Sequence, residues 1–232
     1  MTDRDVDTLL DTGQLPAPAA GQISRIQATV LSDLKPVRPL APAILYSALF
    51  AALFVAACIL GWVMVGRRGW SALDAIQRAL VFIPLFAIAA LLIYSLVHQM
   101  TPAGRYPRST AFLAVAAFLW LLVFMLLIFR PSAEAGFVDH GLACFRIGMG
   151  FAVPAAFLLA LLLRRGAGLA PRLTGATAGG LAGLAGLTVL EIHCPNLNLY
   201  HIVVWHVSVT VVCVLLGFIF SSVTFSRWRS NP

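Results

Sequence analysis

Charge is what this 232-residue sequence has least of: Asp, Glu, Lys and Arg together make up 11% of it, and only nine residues are acidic. A soluble domain carries about 25% charged residues, so that class is excluded. The sequence also lacks the period-two alternation of a transmembrane barrel, which leaves helices as the spanning elements. It has no Cys-x-x-Cys, which a membrane disulfide generator would need. Of its five histidines only His206 lies well inside an apolar run, which argues against a transmembrane haem. The 16 basic residues are scattered among loops and form no stripe, so direct nucleic-acid binding is not expected. No short basic leader precedes the first apolar run, which begins after residue 40, so no signal peptide is expected.

What fills the chain instead is apolar sequence: 60% hydrophobic residues and a mean hydropathy of +0.92. A spanning helix needs about 20 apolar residues. Six stretches qualify: Pro42–Gly66, Ala79–Val97, Ala111–Phe129, Leu142–Leu163, Leu173–Ile192 and Leu199–Val223. The fifth is only mildly apolar, being rich in Gly and Ala. The expected fold is an all-α membrane protein of six transmembrane helices with a short N-terminal helical tail. The parts are a tail over 1–40, a membrane domain over 41–225 and a C-terminal tail over 226–232. The two tails and the even-numbered loops hold 11 Lys and Arg, against five elsewhere. The positive-inside rule then places both termini in the cytoplasm.

The N-terminal tail carries two apolar stripes at helical spacing. Val6, Leu9 and Leu10 form the first, among aspartates. Ile23, Ile26, Val30, Leu31 and Leu34 form the second, beyond a Gly- and Pro-rich linker. Helices this short are marginal alone and need a surface to cover the stripe. The membrane surface and the cytoplasmic loops are candidates, but interfacial helices usually carry Lys and Arg on the polar face. A protein partner suits the acidic first stripe and the nearly neutral second one better.

Four cysteines are present. Cys58 and Cys213 lie within spans, where a thiol acts as a small hydrophobe. Cys144 lies 20 residues before Arg164 and Cys194 lies 23 after Pro171, on the two arms of one hairpin. Equal helical rise puts both at one level, at the outer face. They can be a fixed disulfide, a pair that reacts with oxidants or soft metals, or unrelated. Glu191 and His193 beside Cys194, and Asp139 and His140 near Cys144, favour reactivity: an imidazolium lowers a thiol pKa, whereas a carboxylate raises it. Two thiolates and two imidazoles would suit zinc or copper, but the spacing fits no standard metal motif, so no metal ligands or cofactor are assigned. His201 and His206, five residues apart and so poorly aligned on a helix for a shared ligand, are expected to be packing residues. Glu191 and Arg146 are expected to partner each other near the outer interface. Gly175, Gly179 and Gly183 fit close helix packing.

The run Leu31-Ser-Asp-Leu-Lys-Pro-Val-Arg-Pro-Leu40 resembles that of NrsF-type proteins, which are bacterial inner-membrane negative regulators of extracytoplasmic-function (ECF) sigma factors. The likeness continues through a Cys heading the fourth span, Arg164-Arg-Gly-Ala167 with Pro171, the small-residue span Gly175–Gly186, His193-Cys194 and Trp205. It implies an anti-sigma factor, not an enzyme, in the bacterial inner membrane. Its partner would be an ECF sigma factor held by the tail stripes. Cys144 and Cys194, with His193 and Glu191 beside them, would sense oxidants or heavy metals. The alternative from the residues alone is a small membrane carrier or metal-handling protein using the Glu191–Cys194 region.

Overall fold

A computed structural model of the chain describes residues 20–33, 42–100, 108–164 and 170–229. The chain divides into two compact units at residue 39. In the first, the described residues form a helix, α1 (Ala20–Asp33), that carries Ile23, Ile26, Val30 and Leu31, all exposed. Val6, Leu9, Leu10 and Leu34 lie outside the described residues.

The second unit is a helical bundle: α2 (Ala43–Val65), α3 (Arg68–Ala72), α4 (Ala75–Met100), α5 (Arg108–Ile128), α6 (Phe137–Leu163), α7 (Pro171–His193), α8 (Leu199–His201), a π turn (Ile202–His206) and α9 (Val207–Arg229). Among the described residues, five helical stretches are long and apolar enough to cross a membrane: α2, α4, α6, α7 and the continuous run Leu199–Ser221. This is a membrane protein. The expected third span falls in α5, whose described apolar part is shorter, Val115–Ile128.

Helix α7 is the axis of the bundle. Most of its residues are buried, and it packs against α2, α3, α4, α6 and α9. Its mild hydropathy has a packing cause. A lipid-facing helix needs large apolar side chains, whereas one enclosed by protein needs small ones so that backbones can approach. A Cβ on Gly179 would collide with the Cys213 carbonyl of α9, and one on Gly175 with the Gly217 carbonyl. On Gly183 it would lie 2.6 Å from the Thr210 Cα, and on Gly186 2.5 Å from the Gly148 carbonyl oxygen of α6. On α2, Phe50, Phe54, Ala57 and Gly61 recur at three- and four-residue steps and are buried, while Ile44, Val63 and Met64 are exposed. Helix α4 opens on a reciprocal cap: the Asp74 amide donates to Gln77 Oε1 at 3.0 Å, and the Gln77 amide to Asp74 Oδ1 at 2.8 Å.

Candidate functional site: a cysteine, histidine and glutamate cluster

Buried ionisable residues, Glu191, Cys194, His201 and His206, gather where α7 ends and α8 begins. Helix α7 stops at His193, and Cys194 takes an extended conformation just beyond it. Pro195 follows and ends the possibility of continuing the turn. The chain then runs through Asn196 to Asn198, whose side chain caps α8 by accepting from the Tyr200 amide at 3.2 Å. This segment is tied to the loop after α5. The Leu199 amide donates to the Arg130 carbonyl at 3.2 Å, Asn198 Nδ2 donates to the Ser132 carbonyl at 2.8 Å, and the Ser132 amide donates to Asn198 Oδ1 at 3.3 Å. Those ties set Glu134 over the cluster. Asn196 Nδ2 donates to its Oε1 at 2.7 Å, and Asn198 Nδ2 to its Oε2 at 3.4 Å. Burial works against charge on Glu134. The Asn196 amide, the nearby His201, His140 and Asn198 outweigh it and hold the carboxyl below its usual value.

Cys144, in the second turn of α6, and Cys194 meet with their sulfurs 3.5 Å apart, both as free thiols. The equal rise along the hairpin therefore places them as the spacing predicts. The Cys144 sulfur, and then burial, push the Cys194 thiol up to about 12, against a pull from His206. Cys194 thus keeps its proton at neutral pH in this reduced state; the expected effect of a nearby imidazole is present but outweighed.

Histidines complete the cluster, and they differ from the pair singled out in the sequence. His201 Nε2 lies 3.7 Å from the Cys194 sulfur, and its Nδ1 lies 3.3 Å from Glu134 Oε2. His206 Nδ1 lies 2.8 Å from Glu191 Oε1. The expectation that five-residue spacing separates His201 from His206 is overturned by the π turn between them. A π turn closes on i→i+5, so the two residues share a face. Their rings meet edge to face at 5.3 Å. Glu191 is 3% exposed and pairs with His206, not with Arg146, which is exposed. His193 stands outside this group, its Nδ1 buried without a hydrogen-bond partner among the described residues. His140 reaches Glu134 from the exposed side, at 3.4 Å.

Cys144, Cys194, His201 and His206 each offer one ligating atom, and the four atoms all lie within 4.8 Å of one another. Sequence reasoning missed Glu134, His201 and His206. The His-x-x-x-x-His spacing was the available signal for the last two, legible only if a π turn is allowed for. Nothing local in the sequence marks Glu134.

Close packing around the cluster fixes its shape. Gly69 of α3 has room for no side chain: a Cβ there would lie 2.5 Å from the carbonyl oxygens of both Glu191 and Cys194. A Cβ on Gly141 of α6 would collide with the Trp205 indole.

No curated protein and no solved structure matches this chain. Among known families, the one described as NrsF, negative regulator of sigma F, matches residues 31–228. That match runs from the end of α1 through α9 and takes in the whole cysteine and histidine cluster, and the chain belongs to the NrsF family of negative regulators of sigma F.

Proposed function

We propose that the protein is an anti-sigma factor of the bacterial inner membrane. In this reading it holds an ECF sigma factor with its cytoplasmic N-terminal tail, residues 1–40, and releases it when oxidants or heavy metals reach Cys144 and Cys194 on the periplasmic side. Family membership supports the regulatory role and the sigma-factor partner. The observation that carries the rest is the 3.5 Å contact between two free thiols at one end of a membrane bundle. A pair so close can join, or bind a soft ion, with little movement of the backbone. The exposed stripe of α1 supports the tail as the docking element: Ile23, Ile26 and Val30 share one face, and an amphipathic helix lays such a face into a partner's groove. Both termini are cytoplasmic by the distribution of Lys and Arg.

Coupling between thiols and tail then runs through the helices, with the α6–α7 hairpin shifting against α2, the first helix after the tail. The test is co-purification from native membranes with identification by mass spectrometry. The full chain is expected to bring down one sigma factor, and a chain lacking residues 1–40 none. Equal capture by both would remove the tail from the mechanism. A second reading, a small metal-handling membrane protein, is favoured by the four-residue cluster alone. Absence of any sigma factor from the full-chain preparation would favour it.

A further inference from the structure

We propose that Cys144, Cys194, His201 and His206 form a four-coordinate site for a borderline-to-soft divalent cation of the zinc class. Distances are the first argument. A tetrahedral ion with Zn–S of about 2.3 Å and Zn–N of about 2.0–2.1 Å sets its sulfurs about 3.8 Å apart and each sulfur about 3.5 Å from a nitrogen. The sulfurs here are 3.5 Å apart and Cys194 lies 3.7 Å from His201 Nε2. A disulfide would require about 2.0 Å. These two distances are near those of an ion-filled site, and the four ligating atoms all lie within 4.8 Å of one another.

The unmet atoms are the second argument. His206 Nε2 is buried with no hydrogen-bond partner among the described residues, although its other nitrogen is firmly held by Glu191. A buried ring nitrogen without a partner is costly, and coordination would satisfy it. The third argument is the outer layer. Metal-bound histidines nearly always pass their second nitrogen to a carboxylate or carbonyl. His206 Nδ1 is hydrogen-bonded to Glu191 in this way, and His201 Nδ1 lies 3.3 Å from Glu134 Oε2, within reach of the same role but without a hydrogen bond among the described residues. The π turn places both histidines on one side, and π turns concentrate at functional sites. A shallow cleft lined by Pro131, Glu134, Phe137 and Tyr200 opens beside Glu134, the carboxylate nearest His201.

Binding the dication releases the two thiol protons to solvent, and the resulting thiolates cancel its charge. The same sulfurs cannot be a disulfide and a ligand pair together. A small-molecule disulfide would oxidise both thiolates to a Cys144–Cys194 disulfide, leave as two thiolates that take up protons from solvent, and expel the ion. Oxidant and metal thus compete for one input.

The site rests on the proposed role of the cysteine pair as the signal input, but its test needs no sigma factor. Reduced full-length protein in nanodiscs would be titrated with Co2+. One equivalent is expected to give the intense visible bands of tetrahedral cobalt with thiolate-to-cobalt charge transfer. Zn2+ should bleach them, and oxidised glutathione should abolish them. Cys144→Ser and Cys194→Ser should lose the charge-transfer band, while Cys58→Ser and Cys213→Ser keep it. Glu191→Gln and Glu134→Gln, which alter positioning residues, should keep the spectrum and weaken affinity by about 10–100-fold. The parent protein decides the matter even if a variant fails to fold: octahedral cobalt, no charge transfer, or a spectrum indifferent to oxidised glutathione would each overturn the site. A His201→Gln, His206→Gln double variant that folds and binds Co2+ as the parent does would also overturn it. Loss of the site with sigma-factor capture intact removes only the metal. A bound metal without sigma-factor capture removes only the regulatory reading.

Discussion

Replacing Ile23, Ile26 and Val30 with Asp should detach the sigma factor from the membrane protein. The three residues are 43%, 58% and 54% exposed on α1, so together they offer about one and a half apolar side chains of uncovered surface. Full burial of one such side chain contributes about 1.5–3 kcal/mol, which puts the lost contact at about 2–5 kcal/mol. At 1.4 kcal/mol per tenfold, Kd should rise from about thirtyfold to several thousandfold. Aspartate also weakens a helix, so Ala28→Asp with Ser32→Asp, on the opposite face of α1, is the control for propensity and charge. The assay is binding of the purified sigma factor to the protein in nanodiscs, read alongside transcription from a sigma-dependent promoter. A triple variant within about threefold of the parent Kd would refute the reasoning. So would a control pair as damaging as the triple.

Three further outcomes are expected. A phosphatase active only in the periplasm should be silent when fused after Arg229 and active when inserted within Glu134–His140; the reverse pattern overturns the orientation. Cys144→Ser and Cys194→Ser should each fix the transcriptional response in one state, the double variant should match either single one, and Cys58→Ser and Cys213→Ser should respond normally; a normal oxidant and metal response in the double variant would move the sensor elsewhere. Gly179→Leu, which drives a side chain into the Cys213 carbonyl, should cost at least about 1–3 kcal/mol and lower the Tm, whereas Gly150→Ala, with open space around it, should leave the Tm unchanged or slightly raised.

The apolar runs were legible because lipid imposes length and composition on a helix directly. Pro42–Gly66 became Ala43–Val65, and Leu173–Ile192 became Pro171–His193. The cysteine contact was legible too, because equal rise along two arms of a hairpin is arithmetic. The partners of the cysteines were not. Glu134 reaches His201 only because Asn198 ties two loops whose residues are 66 apart in sequence, and no periodicity records such a tie. His201 and His206 were misread because helical spacing was taken as 3.6 residues per turn where the chain makes a wider one. Glu191 reads as an interfacial charge in the sequence because its burial is set by Gly69 of α3 and His206 of the π turn, not by its distance from the end of the apolar run.

The glycine face of α7 has a mechanical consequence. Most helix pairs touch through a layer of side chains, and that layer is compliant: a rotamer can turn and absorb a small displacement. Between Gly175, Gly179 and Gly183 and the backbone of α9 there is almost no such layer. Main chain bears on main chain, and the nearest atoms have no torsion to yield. A tilt imposed on α7 at its cysteine end must therefore be passed to α9 nearly whole, as between two gears cut without backlash.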